Sequence, residues 1–537
     1  MSMLNRRRRP NLMRHIGVSQ GEAQDMRVET RILEPRTFSQ SAAGGQVSFD
    51  LPKEGLLDQD VFLDIQMTNT SFAAAGALMG MPVMAGILGC LQTGTIYYNN
   101  ILLQQTTELA QLLQLKMCFV EQDIRDQTYQ VKIGSFSGLM VDTDSLTGAG
   151  ATSVGKYSYN ATDVGRGVVG LQVGIITATG ATNPDQYDKV QDYRISQSTA
   201  DAPTYSLPLK WVFPFLTQIQ LPLGLLEGQI RVVFDFYADL NGNRGIRYSA
   251  VPAAGAAPAA GNFDANQVIT ESSVRLVVDL VYFDDIPGKS SPMERLAAEV
   301  ARGIELVYTD YTYIESVITA GGGGANPEAK DVNTLCGLDH QVVRNLLIAM
   351  PNQVNYTTLA QTGPSNPILG NFGSVASQGQ TTLQIVINNQ NVYPNAIDSD
   401  AKLYNELSQV FNTPMKCNKG LTSWVGSVAG PALNAEVFQE AFPRDKWMCG
   451  LGPGAGPAVF GCGESCLQGS VQYMGVNLSR THDNILGAGT AVGKSPVEVR
   501  LTTQQTQQVA RARRLMIWAE CERVMIIKNG RIMVSGS

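Results

Sequence analysis

The hydrophobic pattern of this chain occurs twice. Residues 96–100 (IYYNN) in the first half and 385–389 (IVINN) in the second are β-branched or aromatic runs that end in an Asn-Asn pair. Such runs predict strands, and the asparagines predict a turn. Each copy is followed by a helical pattern, at 108–113 (ELAQLL) and at 402–407 (KLYNEL). The repeat therefore predicts two related β domains in one chain.

Short apolar runs bounded by turn signals continue through both halves. They lie at 46–51, 61–67, 206–216, 229–236, 274–283, 304–314, 342–350, 383–389, 496–501, 515–518, 524–527 and 532–534. The prolines of 206–216 and 221–223 are expected at strand starts or edges, because proline cannot donate to a ladder. Residues 126–205 predict a long excursion with hairpins of its own. Short strands, two helical insertions and no βαβ alternation predict a β-sandwich in each half.

Two local signals are sharper than the rest. Residues 291–294 (SPME) combine a Ser N-cap, a proline at the first helical position and a glutamate three residues after the cap. This capping box predicts a short connecting helix that ends near Gly303. Residues 528–531 (KNGR) predict an Asn-Gly hairpin turn before the last strand.

Length and charge refine this organisation. A chain of 537 residues exceeds a single hydrophobic core, which stops growing at about 250–300 residues. Charged residues are only 16% and apolar residues 44%, which favours an oligomer interface over simple poor solubility. Residues 72–91 carry no charge, but Pro82 and the Ala- and Gly-rich content argue against a membrane span.

The net charge of −7 argues against wholesale coating of nucleic acid. The exception is a basic N-terminal arm that contains Arg6, Arg7, Arg8, Arg9 and Arg14. The arm is either a solvated tail or nuclear-localisation patch, or a segment that contacts nucleic acid, anionic lipid or an acidic partner.

The sequence offers little for catalysis or metal binding. The three histidines are His15, His340 and His482, and no G-x-S-x-G, P-loop or H-E-x-x-H motif occurs. Cys462 and Cys466 lack the paired spacing of a zinc site, so buried or loop thiols are the better interpretation, and a disulfide between them stays open. Eight cysteines and no apolar segment after the arginines indicate folding in a reducing compartment. We therefore expect no enzyme, no cofactor and no metal.

The duplicated strand, Asn-Asn turn and helix, together with the proline-framed runs 207–209 (LPL), 213–215 (FPF) and 221–223 (LPL), resemble the double jelly-roll major capsid proteins of eukaryotic double-stranded DNA viruses. The resemblance is to large nucleocytoplasmic viruses, virophages and polinton-like viruses, and it extends to 494–499 (KSPVEV). It implies an all-β fold of two tandem antiparallel jelly-roll β-sandwiches with short helical insertions and long loops.

The expected division is a basic arm and lead-in at 1–45, a first jelly roll at 46–288, a connecting helix at 289–303 and a second jelly roll at 304–537. The resemblance also implies homotrimeric, pseudo-hexagonal capsomers that tile an icosahedral shell, assembled in the host cytoplasm or nucleus. Implied partners are neighbouring trimers, minor capsid and penton proteins, and an inner membrane or the genome through the arm. The alternative is a tandem β-sandwich protein for binding or receptor attachment.

Overall fold

The computed structural model of the chain consists mainly of antiparallel strands. It describes residues 26–41, 44–66, 78–82, 86–117, 128, 130–133, 152–157, 171–177, 193–196, 204–237, 247–249, 269–283, 291–318, 331–349, 382–398, 402, 405–406, 409–410, 450–451, 460–461, 474–479, 489–494, 496–502 and 513–535.

The strands of the first half are β1 (Met26–Leu33), β2 (Thr37–Ser41), β3 (Gly44–Asp50), β4 (Leu56–Gln66), β5 (Leu78–Pro82), β6 (Leu91–Tyr98), β7 (Ile101–Thr107), β8 (Thr152–Tyr157), β9 (Leu171–Thr177), β10 (Tyr193–Ser196), β11 (Thr204–Pro208), β12 (Ile230–Phe236), β13 (Arg247–Ser249) and β14 (Val274–Phe283). Those of the second half are β15 (Ile304–Ile318), β16 (Asp331–Cys336), β17 (Val342–Ala349), β18 (Thr382–Ile387), β19 (Gln390–Asn391), β20 (Gly450–Leu451), β21 (Phe460–Gly461), β22 (Met474–Asn477), β23 (Thr490–Ala491), β24 (Val497–Thr502), β25 (Arg513–Lys528) and β26 (Arg531–Ser535).

The helices are short. They are α1 (Leu109–Met117), α2 (Gln130–Ile133), α3 (Pro214–Gln218) and α4 (Pro292–Arg302), and residues 402, 405–406 and 409–410 are also helical. Turns of 3-10 helix occupy Gly86–Cys90, Leu209–Trp211, Leu223–Leu225 and Glu271–Ser273. None of the helices in the described part of the chain has both the length and the hydrophobicity of a membrane span.

Eight strands of each half occupy equivalent places in two sheets. The first half has the orders β1-β14-β4-β11 and β3-β12-β6-β7, with β2 added beside β3. The second half has β15-β25-β17-β22 and β16-β24-β18-β19. Numbered along the chain, the eight strands lie in the orders 1-8-3-6 and 2-7-4-5 in both halves. Two such sheets form a jelly roll, so the predicted all-β fold with two tandem jelly rolls is confirmed.

The excursion after β7 forms strands of its own. A five-stranded sheet has the order β13-β5-β10-β9-β8, and β8 pairs with β9 in antiparallel register. The prediction of additional hairpins within 126–205 is therefore confirmed. In the second half, β20 pairs with β21, β23 with β17, and β26 with β25.

The predicted turns are confirmed at all three places. Each Asn-Asn pair closes a hairpin, β6–β7 in the first half and β18–β19 in the second. Asn99, Asn388 and Asn389 have φ values of 52°, 52° and 61°, a region that asparagine tolerates better than most residues. Asn529 and Gly530, with φ values of 49° and 71°, form the turn between β25 and β26.

The capping box of the connecting helix is also confirmed. The backbone N–H of Glu294 donates to the Ser291 hydroxyl (3.2 Å), and the N–H of Ser291 donates to the Glu294 carboxylate (3.1 Å). Helix α4 ends before Gly303, whose φ is 108°, and it buries Leu296 and Val300. The helix lies between the last jelly-roll strand of the first half and the first strand of the second.

The proline-rich run of the first half departs from the prediction of continuous strand. Strand β11 ends at Pro208, and the chain continues as a 3-10 turn and as α3, which begins at Pro214. A proline at the first helical position is favoured because its φ already suits a helix and its missing N–H would have no partner there. Pro222 similarly precedes a 3-10 turn rather than opening a strand.

Two strands precede the first one that the pattern predicted. Residues within the expected lead-in form β1, which pairs with β14, and β2, which pairs with β3. Arg27, Glu29 and Arg31 on β1 obscure the alternation, as charged side chains on edge strands commonly do. The exact boundaries 46–288 and 304–537 stay predictions.

One buried apolar cluster extends through both halves. Phe49, Phe213 and Phe234 are fully buried in the first jelly roll, and Tyr308 and Trp518 are fully buried in the second. Because the last two residues also contact the first half, the two jelly rolls share their core at a joint.

Candidate functional site at the joint between the jelly rolls

The predicted functional residues Arg6, Arg7, Arg8, Arg9 and Arg14 lie outside the described residues, as do Cys462, Cys466 and His482. His340 is at a turn, with a φ of 62°. Among the described residues, buried polar side chains are concentrated where β7, α1 and α3 of the first jelly roll meet β15 and β25 of the second.

Two large side chains anchor this joint. The Trp518 indole N–H on β25 donates to the Thr107 carbonyl at the end of β7 (2.9 Å). The Tyr308 hydroxyl on β15 donates to the Leu103 carbonyl of β7 (2.6 Å), and its ring packs edge-on against Phe215 of α3 with centroids 5.1 Å apart. Both anchors combine apolar burial with a satisfied polar group, as aromatic interface residues typically do.

Buried amide side chains tie the backbones of the two halves together. The Gln104 amide donates to the Thr309 carbonyl (2.9 Å) and accepts from the Phe215 N–H (3.0 Å). The Gln218 side chain accepts from the Thr309 N–H (2.7 Å). Thus β15, an edge strand of its own sheet, has backbone groups satisfied by the other jelly roll.

A buried ion pair lies beside these amides. The Arg523 Nε atom is 3.0 Å from Asp310 Oδ2, and the two side chains are 14% and 1% exposed. The Gln105 N–H approaches Asp310 Oδ1 at 3.4 Å. Burial raises the pKa of Asp310 to about 6, although Arg523 opposes the shift. Ionisation of Asp310 at neutral pH therefore depends on its partner.

A second charged cluster crosses the joint at the start of β25. Arg514 contacts Glu315 of its own half and lies 3.3 Å from Glu108, the residue before α1. Tyr237 donates a hydrogen bond to the same fully buried Glu108. Arg514 is thus held by one acid from each jelly roll.

A third cluster surrounds Lys116 of α1. Its ammonium lies 4.6 Å from the centroid of the Tyr311 ring and donates to the Tyr311 hydroxyl. That hydroxyl donates to Glu520 (2.9 Å), which also accepts from Asn345 (2.6 Å). Burial lowers the pKa of Lys116, and the charge of Glu520 partly offsets this shift.

The last hairpin makes a separate contact with the first jelly roll. The Gly530 carbonyl accepts from the Tyr98 hydroxyl (2.9 Å) and from the Glu227 N–H (2.8 Å). A Cβ atom at Gly530 would lie 2.8 Å from the Leu225 carbonyl oxygen, so this position excludes larger residues. Tyr98 belongs to the first repeat, so the repeated hairpin itself takes part in the joint.

The joint was not predicted from the sequence. The available signal was the set of charged residues within apolar strands: Asp310 and Glu315 on β15, and Glu520, Glu522 and Arg523 on β25. Buried charges need partners, so these positions could have suggested a polar interface. Their partners could not be named, because Glu108 and Arg514 are 406 positions apart along the chain.

The polar groups of the joint orient the two jelly rolls relative to each other. Paired buried charges and satisfied amides fit together in few relative positions, because any other position leaves polar groups without partners. The joint therefore fixes how one jelly roll sits on the other.

No protein-family model and no curated protein matches the sequence. Solved structures do match. The chain is similar to the protein in a quasi-atomic model of the PBCV-1 virus capsid, with a TM-score of 0.51 and 13% identity over 95% of this chain and 97% of that chain. A PBCV-1 crystal structure, fitted into a reconstruction of the virophage Sputnik, gives a TM-score of 0.52 and 12% identity over 95% and 97%.

The Faustovirus major capsid protein is similar to the same extent, with a TM-score of 0.51 and 10% identity over 94% of this chain and 91% of that chain. The identities are low, so the TM-scores show a common fold and no more, and that fold covers 94–95% of this chain.

Proposed function

We propose that this chain is a major capsid protein of a double-stranded DNA virus. Three copies would form a pseudo-hexagonal capsomer, and capsomers would tile an icosahedral shell. The observation that carries the proposal is the pair of jelly rolls with equivalent strand orders, held in one relative position by the buried joint. Two similar wedges in each of three copies fill a six-sided outline, and the joint keeps each pair of wedges rigid.

The composition supports assembly. A trimer that buries several thousand Å² needs surface that loses little on desolvation, and only 16% of the residues are charged. The solved structures with this fold are described as viral capsids or capsid proteins.

Mass measurement tests the proposal directly. At micromolar concentration, we expect sedimentation equilibrium to give about three times the 57.9 kDa chain mass, and electron micrographs to show hexagonal particles. A monomer at every concentration tested would contradict the proposal and favour the tandem β-sandwich binding or attachment protein.

The basic arm would face the interior of the shell. Its arginines, Arg6 to Arg9 and Arg14, suit contact with an inner membrane, the genome or an acidic minor capsid protein. Minor capsid and penton proteins would complete a shell whose location is the virion.

Deletion of residues 1–14 should leave trimers intact while shell assembly or inner-layer attachment fails. The arm lies ahead of every strand of the joint, so trimer mass by light scattering should be unchanged. A matched control replaces Arg6, Arg7, Arg8 and Arg9 by glutamine, which keeps the length and removes the charge. Loss of trimers in either variant would contradict this placement of the arm.

A further inference from the structure

The cluster around Lys116 contains the groups that are needed to form an amide bond between two side chains. Lys116 of α1 in the first jelly roll supplies an amine, and Asn345 of β17 in the second supplies a carboxamide. Hydrogen bonds connect both groups to the carboxylate of Glu520. The Asn345 amide donates to it directly (2.6 Å), and Lys116 donates to the Tyr311 hydroxyl, which in turn donates to Glu520 (2.9 Å).

Strand pairing places the three partners of Lys116 in one row. Glu520 on β25 pairs with Tyr311 of β15 on one side and with Asn345 of β17 on the other. Side chains that are paired in this way point to the same face of a sheet, and neighbouring strands lie about 4.8 Å apart. The row therefore presents a hydroxyl, a carboxylate and a carboxamide, in that order, on the face that α1 approaches.

Asn345 is an unusual residue for the interior of a strand, where asparagine is depleted. It is 1% exposed, and it follows an irregularity in the pairing of β17 with β25, a feature that can redirect side chains. Its Oδ1 atom is buried, and among the described residues no group donates a hydrogen bond to it. Such an oxygen lowers stability, which indicates a role other than packing.

The surroundings of Lys116 favour the reactive form of its amine. Burial lowers the pKa of Lys116, and the charge of Glu520 partly offsets this shift. The neutral amine is the nucleophile, so a lowered pKa increases the fraction that can react. Helix α1 is also held at its start, where Glu108 lies 3.3 Å from Arg514. The amine is therefore kept above the row of polar side chains.

We propose that Lys116 and Asn345 form an amide bond with each other, which joins the two jelly rolls covalently. The lone pair of the Lys116 Nζ atom attacks the Asn345 Cγ atom, and a C–N bond forms. Glu520 accepts one proton from the attacking nitrogen and delivers it to the Asn345 Nδ2 atom. The Cγ–Nδ2 bond then breaks, and ammonia leaves. Each chain reacts with itself once, so the step needs neither an oxidant nor a cofactor.

The reaction requires a movement of the lysine side chain. Its amine must move from the Tyr311 hydroxyl past Glu520 to Asn345, a distance on the order of 5 Å, or one strand spacing. The flexible four-carbon stem of lysine permits this movement without a change of the backbone. Lys116 and Glu520 are half-buried, which leaves a path by which ammonia can reach solvent.

The bond would fix the joint independently of its hydrogen bonds. It would close a long loop of the chain between α1 and β17, and cross-links of this kind stabilise a fold chiefly by restricting the unfolded chain. The inference does not depend on the proposed function, because the bond would join two domains of any protein in the same way.

The mass of the denatured, unsubstituted chain tests the inference. Electrospray mass spectrometry should give a value about 17 Da below that of the sequence, since one molecule of ammonia leaves when the amine attacks. After digestion with trypsin, the peptides that contain Lys116 and Asn345 should appear as one species.

Substitutions assign the loss of mass to its source. Lys116→Arg retains a cation that is always protonated and cannot attack, so the deficit should disappear. Lys132→Arg is the matched control, because Lys132 lies over the Phe62 ring, 4.9 Å from its centroid and outside the cluster, and it should retain the deficit. Glu520→Gln should slow the reaction by about 100-fold, as for the loss of a general base.

Each outcome decides the inference. A deficit in the unsubstituted chain and in Lys132→Arg, but not in a Lys116→Arg chain that circular dichroism shows to be folded, supports it. Asn345→Ala, which removes the carbonyl, should also lack the deficit and serves as the second test if Lys116→Arg does not fold.

The full sequence mass in the unsubstituted chain would overturn the inference and leave the cluster as a hydrogen-bonding network. A deficit that persists in Lys116→Arg would also overturn it, because an asparagine followed by glycine, such as Asn529, can lose ammonia by cyclisation. Unchanged kinetics in Glu520→Gln would overturn the role of the carboxylate.

Discussion

Replacement of Trp518 by alanine should lower the free energy of unfolding by about 3–5 kcal/mol. The side chain is fully buried, so its removal forfeits a large apolar surface and leaves a cavity. The Thr107 carbonyl, which accepts the indole N–H at 2.9 Å, would also lose its partner inside the joint. Urea unfolding followed by circular dichroism, at one fixed protein concentration, measures the change.

The position of Trp518 adds a second expectation. The residue belongs to the apolar cluster that extends through both jelly rolls, so its loss should weaken their coupling. The alanine variant should therefore unfold in two steps, and the midpoints of these steps should lie further apart than in the unsubstituted chain.

Trp518→Phe is the matched control for this prediction. It retains most of the ring volume and removes the hydrogen bond, so we expect a loss of about 1–2 kcal/mol. Loss of less than about 1 kcal/mol in the alanine variant would show that the joint does not depend on this anchor.

The elements that the sequence predicted well are those determined by neighbouring residues. Asn99 and Asn388 adopt the positive φ that short hairpins require, and the Ser291 capping box needs only a span of four residues. Hydrophobic periodicity likewise located most strands, because each strand buries one face in the core between the two facing sheets. The repeat between the halves can therefore be recognised from the sequence alone.

The elements that the sequence missed depend on distant partners. Strand β1 is stabilised by β14, far away in the sequence, and its charges hid the alternation. Helix α3, which begins at Pro214, packs against β15 of the other jelly roll, a partner about 90 positions away in the sequence. Gln104 and Thr309, 205 positions apart, meet only in the folded chain. The joint forms through tertiary packing. The sequence shows which polar residues are present, but it does not show which of them pair.

Replacement of Arg523 by methionine should lower the free energy of unfolding by about 3–5 kcal/mol at pH 8, because it leaves the Asp310 carboxylate buried without its cation. Asp310 is 1% exposed and lies 3.0 Å from Arg523. Methionine retains an unbranched side chain, so the loss of packing is small compared with the loss of charge.

The destabilisation caused by Arg523→Met should be smaller at acidic pH. In the folded chain, the pKa of Asp310 is raised from 3.8 to about 6, so the folded state binds this proton more tightly than the unfolded state does. The stabilisation from that proton is complete below about pH 4 and disappears as the pH rises through 6, a change of about 3 kcal/mol. At pH 4–5 the carboxyl is largely neutral, and loss of Arg523 leaves no unpaired anion.

The double variant Asp310→Asn and Arg523→Met separates charge from packing. It contains neither ion, so it should be more stable than Arg523→Met alone at pH 8 and should lack the change between pH 4 and 7. Urea titrations of both variants at pH 4.5 and pH 8 provide the comparison. If the single and double variants were equally stable at pH 8, the buried charge of Asp310 would not be the cause, and the joint would depend on packing alone. The predicted order instead makes the ion pair a condition for the two jelly rolls to keep one orientation at neutral pH, which the proposed six-sided capsomer of three chains would require.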